Sequence, residues 1–222
     1  MVPKWGEKEF MLIDLHVHTA DYSPCSELDL EQAILRAKDM GLQGLCITDH
    51  ESNGIASKAM QLARKHQFFI LVGMEILTRQ GDLLVFGLEE MPAGQVEADF
   101  LLKKIHQCQG IAISAHPFRD NGRGMGELIR QYPQLSGVEV FNGRTSPNDN
   151  YRALHLTRLL RFNAVGGSDA HRLDEVGRYV TAFPDGIRDL QDFREAFLSQ
   201  QVFPMQFQGH AYEEVGYEKE II

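Results

Sequence analysis

Residues 12–21 of this chain read LIDLHVHTAD, an apolar run that ends in two histidines one residue apart. Alternate side chains of a β-strand point to the same face, so a strand at residues 10–15 would project the imidazoles of His16 and His18 in one direction. Imidazoles that converge on one point are typical of metal sites. The stretch therefore predicts a buried strand with cation ligands at its carboxyl end.

The composition is that of a globular protein. At 222 residues and 43% hydrophobic content, the chain can form a core of normal size, and we predict a single domain over residues 1–222 with an acidic tail at residues 209–222. No apolar stretch approaches the roughly 20 residues of a membrane span, and the first residues lack the apolar core of a signal peptide. We therefore expect a cytoplasmic protein with no membrane partner, and the sequence does not indicate its oligomeric state.

The cysteine count and the net charge limit the kinds of metal site and binding partner that the protein can have. The three cysteines form no CxxC pair, which argues against a disulfide framework and against a thiolate zinc site, so a metal must rely on histidine and carboxylate ligands. The net charge of −9 disfavours a broad nucleic-acid-binding surface, although a local basic cleft is compatible with it.

Short apolar runs alternate with stretches of helical spacing along the whole chain. Several runs are continuously apolar, as strands buried on both faces are. We predict strands at residues 10–15, 44–48, 68–73, 83–88, 110–114, 137–141 and 164–167, and helices at residues 30–40, 55–65, 97–107, 151–161 and 190–199. This alternation predicts either a parallel α/β barrel or an open doubly wound sheet.

Nearly every predicted strand ends in a polar side chain that can bind a cation. These residues are His16, His18, Asp49, His50, Glu75, His116, Asn142, Asp169 and His171. Each alone fits a helix cap, a turn or a solvated strand end. Together, charged and imidazole groups at so many apolar strand ends are costly unless they bind one another or a cation. A barrel gathers its strand ends around one mouth, so a shared metal site favours the barrel.

The order of these motifs resembles the PHP family, named for its polymerase and histidinol phosphatase members. The matching motifs, from about residue 14 to residue 171, are HVHT, ITDHESNGI, GMEI, SAHPF, EVFNGR and GSDAH. The resemblance implies a distorted seven-stranded α/β barrel with two or three divalent metal ions at the carboxyl ends of the strands. It also implies the hydrolysis of phosphoesters. Zn, Mn and Fe all suit such ligands, Mg is a further option, and the sequence does not choose among them.

The resemblance also implies which residues bind each ion. It places His16, His18, Glu75 and Asp169 around the first ion, Glu75 and His116 around the second, and His50 and His171 around the third. Asp49 would be an additional ligand or, like Asp14, a carboxylate that orients a histidine ring.

The chain departs from the family pattern at two positions. Cys25 stands where many relatives have His or Asp. It is a thiolate ligand, a bystander, or a sign that the third ion binds weakly, and Asp21 could take its place. Asp82 stands where relatives often have His; it either completes the second ion or is a charged turn residue.

The resemblance implies that a metal-activated water attacks phosphorus. No side-chain nucleophile is then needed, in agreement with a sequence that has neither a GxSxG motif nor a Walker loop. A phosphate needs cationic partners, so we predict that Arg119, Arg144 and Asn142 bind the substrate, with Arg123 and Arg178 as further candidates. The leaving oxygen would take its proton from one of three residues, namely Asp49, Asp169 and His171.

The expected partner is a small phosphorylated metabolite, a nucleotide or a short single-stranded oligonucleotide. Two alternatives stay open, a metallohydrolase that cleaves a C–N or lactone bond and a catalytically silent metal-binding scaffold. The remaining histidines lie in predicted helices or near the tail and are expected to be solvated or packing residues: His66, His106, His155 and His210.

Overall fold

A computed structural model describes residues 4–5 and 8–215 of the chain. Its strands are β1 Lys4–Trp5, β2 Lys8–Val17, β3 Gly44–Ile47, β4 Phe69–Thr78, β5 Gly81–Phe86, β6 Ile111–Ser114, β7 Gly137–Asn142, β8 Asn163–Gly167, β9 Tyr179–Pro184, β10 Phe203–Phe207 and β11 Tyr212–Glu214. The α-helices are α1 Leu30–Asp39, α2 Ala56–His66, α3 Ala98–Gln107, α4 Pro147–Leu160 and α5 Leu190–Leu198, and 3₁₀ helices occupy Gly126–Gln131 and Leu173–Glu175.

The helices begin and end where local chemistry requires it. In α1 the Asp29 carboxylate accepts the Gln32 amide, a cap that contributes about 1 kcal/mol. In α4 the Ser146 hydroxyl caps the Asp149 amide and Pro147 occupies the first turn, so this helix starts at residue 147 rather than at the predicted residue 151. All five predicted helices are present.

The strands form one curled sheet. Its order is β11-β10-β9-β2-β3-β4-β5-β6-β7-β8, and β1 pairs with β2 beside this path. All seven predicted strands are in it, but the expected seven-stranded barrel is wrong in strand number and in direction. β5 runs antiparallel to both β4 and β6, because the residues 79–80 that join β4 to β5 are too few for a parallel crossover. β9, β10 and β11 extend the sheet beyond β2 by antiparallel pairing.

The curl brings the last strand back to β2 at the carboxyl ends of the parallel strands. Val17 and Ala170 form an isolated parallel bridge. The His18 amide donates to the Ala170 carbonyl at 2.9 Å and the Ala170 amide donates to the His16 carbonyl at 3.2 Å. Residues that follow β2 and β8 are therefore held side by side.

The opposite end of the curled sheet is filled by α5. Phe193 and Phe197 of this helix belong to the same buried cluster as Phe86 and Phe183 of the sheet. Two further apolar clusters lie under α1 and α2 and under α3 and α4. The carboxyl-end mouth is therefore the end of the sheet that α5 leaves open.

The predicted tail is partly structured. Residues 212–214 form β11 against β10, and the Tyr212 hydroxyl donates to the Gly177 carbonyl at 2.8 Å. Residues 216–222 of that tail lie outside the described residues. In the part of the chain that the structure describes, no helix has both the length and the apolar character that a membrane crossing requires.

Candidate metal centre

His16 and His18 face one point, as their spacing predicts. Their Nε2 atoms lie 3.0 Å apart, and both side chains are fully buried. Oxygens of Glu75 lie 3.7 Å from His16 Nε2 and 3.5 Å from His18 Nε2, and Asp169 Oδ1 lies 3.6 and 3.4 Å from the same two atoms. Ligands around a tetrahedral ion with bonds of about 2.0–2.1 Å are separated by about 3.4 Å. The four side chains have the spacing of ligands around a shared cation.

Glu75 connects this group to two further histidines. Its Oε1 lies 2.9 Å from His116 Nε2 and its Oε2 lies 2.9 Å from His50 Nδ1. Burial opposes ionisation of Glu75, but the surrounding histidines, His16 first, outweigh it and hold the pKa of this carboxyl well below its usual range. Glu75 is therefore an anion at neutral pH and has the position of a bridging ligand.

A third group of ligands lies on the other side of His18. The His18 ring centroid is 4.4 Å from that of His50 and 4.4 Å from that of His171. His50 Nδ1 is buried and makes no well-aligned hydrogen bond despite its short contact with Glu75, and His116 Nδ1 is also buried without a hydrogen-bond partner. Buried nitrogens without hydrogen bonds are costly in a metal-free protein.

Four overlapping groups among the described residues have ligand atoms within 4.8 Å of one another. They are His18, His50 and His171; His16, His18 and Glu75; His16, His116 and Asp169; and Glu75, Asp82 and His116. The donors are imidazole nitrogens and carboxylate oxygens, which suit Zn, Mn and Fe. Together with the unsatisfied nitrogen of His50, this donor set fits a cluster of divalent cations.

Two of the ligand residues have strained backbones. His116 has φ of +27° and Asp169 has φ of +54°, a region that residues other than glycine rarely adopt. Such conformations cost about 1–3 kcal/mol each and persist where the surroundings enforce them. In both cases the strain occurs at a side chain that points into the candidate metal centre.

Glu139 is a residue of this centre that was given no role from the sequence, although it is the first residue of the EVFNGR motif. It is buried in β7, with Oε1 3.0 Å from His16 Nδ1, and its Oε2 accepts the His116 amide at 2.9 Å and the Asn142 side-chain amide at 3.1 Å. Burial lowers the pKa of His16, but Glu139, Asp169 and Glu75 outweigh it and raise that pKa well above its usual value. The signal in the sequence was an acidic residue inside the apolar run GVEVF.

Asp49 and Asp14 hold the backbone and neighbouring side chains in place. Asp49 accepts hydrogen bonds from the Thr19 amide, the Thr19 hydroxyl and the Ser23 hydroxyl at 2.6, 2.7 and 2.7 Å. Ser23 Oγ lies 3.2 Å from His18 Nδ1, so Asp49 orients that ring through Ser23. Asp14 accepts backbone amides, including those of Ser168 and Gly177 at 2.9 Å each, and burial raises its pKa to about 6. Neither residue belongs to the four ligand groups.

A cavity of about 150 Å³ opens directly above the candidate ligands. Its wall combines two classes of residues, the ligands His50, Glu75, His116, Asp169 and His171, and the basic or amide residues Arg119, Asn121, Arg123 and Arg144. Arg119 Nη1 donates to Asp169 Oδ2 at 2.5 Å, and Arg144 Nη1 lies 3.5 Å from Glu175 Oε2. Cationic side chains and candidate metal ligands therefore share one small cavity.

Two predicted substrate residues lie off this wall. Asn142 is fully buried and donates its side-chain amide to Glu139 and to Asp169, which makes it a support for two site carboxylates. Arg178 Nη1 donates to the Gly143 carbonyl at 2.9 Å and so supports the loop that carries Arg144.

Two family profiles match overlapping parts of the sequence. The profile of the PHP domain matches residues 14–163, and that of a PHP-associated domain matches residues 147–202. The chain belongs to the PHP family. A relative is the uncharacterized protein MJ1587 of Methanocaldococcus jannaschii, which is 30% identical over 143 residues that cover 60% of this chain and 82% of that protein.

Solved structures share the PHP fold of this chain. A protein of Bifidobacterium adolescentis, provisionally assigned as a metal-dependent phosphoesterase, has a TM-score of 0.65 at 15% identity over 90% of this chain and 98% of its own. An amidohydrolase of Chromobacterium violaceum has 0.61 at 18% identity over 83% and 96%. A lesion-specific endonuclease of Pyrococcus furiosus has 0.62 at 16% identity over 86% and 56%. Identities this low establish the fold alone, whereas PHP membership and the ligand groups together support a metal-dependent hydrolase.

The two departures from the PHP pattern have different surroundings. Cys25 is exposed and belongs to none of the four ligand groups, and Asp21 pairs with Lys58 at 2.8 Å. Asp82 is fully buried, with Oδ2 3.9 Å from His116 Nε2, and it forms two hydrogen bonds to Arg123. Burial and the Glu75 charge raise the pKa of Asp82 to about 6.

The other histidines of this PHP chain lie outside the four ligand groups. His66 Nε2 contacts Glu31 at 2.6 Å and His210 Nδ1 lies 3.2 Å from the Gln208 carbonyl. His106 and His155 are exposed on helices α3 and α4.

Proposed function

We propose that this PHP protein is a metal-dependent phosphoesterase that hydrolyses a phosphate ester of a small metabolite, a nucleotide or a short oligonucleotide. One observation carries the proposal: Arg119, Arg123 and Arg144 line the same cavity as the candidate metal ligands. Guanidinium groups bind phosphate oxygens through paired, charge-assisted hydrogen bonds. A C–N or lactone bond carries no charge that would require these cations, so the cavity favours the phosphoester over that alternative.

The metal ions would be Zn, Mn or Fe, two or three in number. His16, His18, Glu75 and Asp169 would hold one ion, Glu75 and His116 a second, and His50, His171 and His18 a third. When bound, such ions activate water and neutralise charge on a phosphoryl group. Burial opposes ionisation of Asp169, but His16 and His18 outweigh it and hold the pKa of this carboxyl well below its usual range. Arg119 donates to its Oδ2, and an ionised carboxylate suits a ligand to a cation.

The cavity also bears on substrate size. At about 150 Å³ it is smaller than the sites of about 300 Å³ or more that enclose drug-sized ligands. It therefore suits the phosphate end of a substrate, while the remainder lies across the loops at the mouth. Of the three predicted proton donors to the leaving oxygen, Asp169 and His171 line this cavity and Asp49 does not.

The test combines elemental analysis with an assay of phosphate release from mono- and diesters, before and after chelation, on one sample. We expect two or three transition-metal ions per chain and release that chelation abolishes. His16→Ala should lose metal and release. The matched control His155→Ala, which changes an exposed histidine on α4, should keep both. One ion or none, with no activity after metal is restored, would favour the silent scaffold.

A further inference from the structure

The hairpin formed by β4 and β5 places Asp82 beside the candidate metal centre. Asp82 is the second residue of β5, which runs antiparallel to β4 and pairs with β6. The amino end of β5 is therefore at the mouth, beside Glu75 of β4. The side chain is fully buried, and a buried carboxylate needs a partner that compensates its charge.

The partner that the structure provides is Arg123. Arg123 Nε donates to Asp82 Oδ2 at 2.7 Å and Nη2 donates to Oδ1 at 2.9 Å, a bidentate pair that uses both carboxylate oxygens. In contrast, Asp82 lies 3.9 Å from His116 Nε2, whereas Glu75 lies 2.9 Å from the same atom. Of the two carboxylates beside His116, Glu75 is directed at the histidine and Asp82 is directed at the arginine.

The backbone around this pair is built for close contact. The Asp82 amide donates to the Arg123 carbonyl at 2.7 Å. Gly81 has φ of +138°, and a Cβ there would lie 2.5 Å from the Met125 amide nitrogen and 2.8 Å from the Arg123 carbonyl oxygen. A Cβ at Gly124 would lie 2.2 Å from the Pro117 carbonyl oxygen. Gly81 therefore lets the loop that carries Arg123 pack directly on the start of β5, and Gly124 lets that loop fold back on its own beginning at Pro117.

Arg123 lies at the cavity wall. Its side chain is 36% exposed, and it lines the cavity together with His50, Glu75 and His116. The pair with Asp82 occupies Nε and Nη2, which leaves the Nη1 group outside that pair. When a carboxylate binds one edge of a planar guanidinium group, the remaining N–H groups point in a fixed direction.

We propose that Asp82 is a positioning residue that holds Arg123 as a phosphate ligand at the mouth, rather than a ligand to the second metal ion. At the position where the PHP resemblance implies a histidine, this chain has a carboxylate that pairs with an arginine. The inference rests on the proposed phosphoesterase function and adds to it a specific contact to a non-bridging phosphate oxygen.

The test measures metal content and phosphate affinity separately. The wild-type protein and Asp82→Asn, Arg123→Met and Arg123→Lys are loaded with zinc or manganese and analysed for metal per chain. Each is then titrated calorimetrically with inorganic phosphate. The matched control is Arg130→Met, which changes an exposed arginine that pairs with Glu127 at 2.8 Å.

We expect every variant to keep the wild-type metal content. Phosphate affinity should fall about tenfold in Asp82→Asn and in Arg123→Met, as for the loss of a charge-assisted hydrogen bond. It should fall less in Arg123→Lys and not at all in the control. The double variant Asp82→Asn/Arg123→Met should bind phosphate no more weakly than Arg123→Met alone, because each change removes the same contact between Arg123 and phosphate. With a phosphate ester the loss should appear in KM more than in kcat.

Two results would overturn the inference. Loss of one metal equivalent in Asp82→Asn would make Asp82 a ligand, and wild-type phosphate affinity in Arg123→Met would remove Arg123 from the phosphate site. If Asp82→Asn does not fold, Arg123→Met still decides. A wild-type protein that binds metal but neither binds phosphate nor cleaves esters contradicts the proposed function itself. A wild-type protein that does both, beside an unaffected Arg123→Met, contradicts this inference alone.

Discussion

Glu139 Oε1 lies 3.0 Å from His16 Nδ1, on the side of the imidazole opposite the atom that faces His18. A carboxylate on one ring nitrogen fixes the tautomer that leaves the other nitrogen able to bind a cation. Glu139 also accepts the His116 amide at 2.9 Å. One buried carboxylate in β7 therefore holds two candidate ligands, the ring of His16 in β2 and the backbone of His116 just after β6.

Replacement of Glu139 by Gln should weaken metal binding without removing a ligand. The variant keeps the side-chain shape but loses the charge that orients His16, and such outer partners typically change metal affinity about 10- to 100-fold. Competition with a chromophoric chelator measures the change. Glu127→Gln, an exposed change in the 3₁₀ helix after residue 125, is the control. An unaltered dissociation constant in Glu139→Gln would show that the contact does not tune the site.

Metal binding should release protons at neutral pH. The pKa of His16 is raised well above its usual value because Glu139, Asp169 and Glu75 outweigh the effect of burial, so this ring keeps a proton in the metal-free protein. The pKa of His116 is raised as well, by Glu75 first. Burial lowers the pKa of His18 to about 3, so that ring is already neutral. Because only neutral imidazole binds a cation, metal affinity should rise as pH rises through the His16 pKa and fall below it.

Calorimetry in buffers of different ionisation enthalpy counts these protons. We expect release of about one to two protons per chain at pH 7, and less in Glu139→Gln, where the charge that raises the His16 pKa is gone. Binding without proton release in the wild-type protein would contradict the protonated state of His16.

The site residues that could be predicted from the sequence are those whose place follows from their spacing along a strand or from their position at the end of one. The alternation of His16 and His18 fixes their common direction, and a parallel strand followed by a polar residue fixes His116 and Asp169 at the mouth. Glu139 was missed because its signal is burial within an apolar strand rather than spacing. Asn142 and Asp49 were predicted near substrate or metal, but their partners, Glu139 and Ser23, depend on tertiary packing.

In the fold, too, some features could be predicted from the sequence and others could not. The continuous apolar runs predicted all seven strands and the helical spacing predicted all five helices. The direction of β5 depends on a two-residue connection, which apolar periodicity does not report. β9 to β11 were missed because they form the antiparallel extension of the sheet beyond β2, and their short segments alternate or mix polar and apolar residues.

Cys25→Ser should leave metal content and turnover unchanged. Cys25 is an exposed residue outside the four ligand groups. Partial desolvation of its thiol, followed by the charges of Glu75 and Asp169, raises the pKa of that thiol. A protonated thiol is a poor ligand. Elemental analysis and turnover of the variant measure the outcome, with His16→Ala as the positive control for ligand loss. A missing metal equivalent, or a thiolate-to-metal absorption band in the cobalt-substituted wild-type protein, would return Cys25 to the ligands.

Arg144→Ala should weaken substrate binding more than it slows the chemical step. Arg144 is exposed at the cavity wall, and its contact with Glu175 is long at 3.5 Å. Glu175 also accepts the His171 amide at 2.8 Å, so the arginine can turn to a phosphate while Glu175 stays in place. Loss of a charged partner at an exposed wall should raise KM about tenfold with a smaller change in kcat.

Steady-state kinetics on a phosphomonoester at two ionic strengths measure this effect. The difference between wild type and Arg144→Ala should shrink at high salt, because salt screens an exposed cation from the phosphate. Arg188→Ala, which changes an exposed arginine beside α5 paired with Asp192 at 2.9 Å, is the matched control and should leave KM unchanged. If Arg144→Ala behaves like this control, Arg144 is a surface charge, and phosphate recognition depends on Arg119, Arg123 and the metal ions.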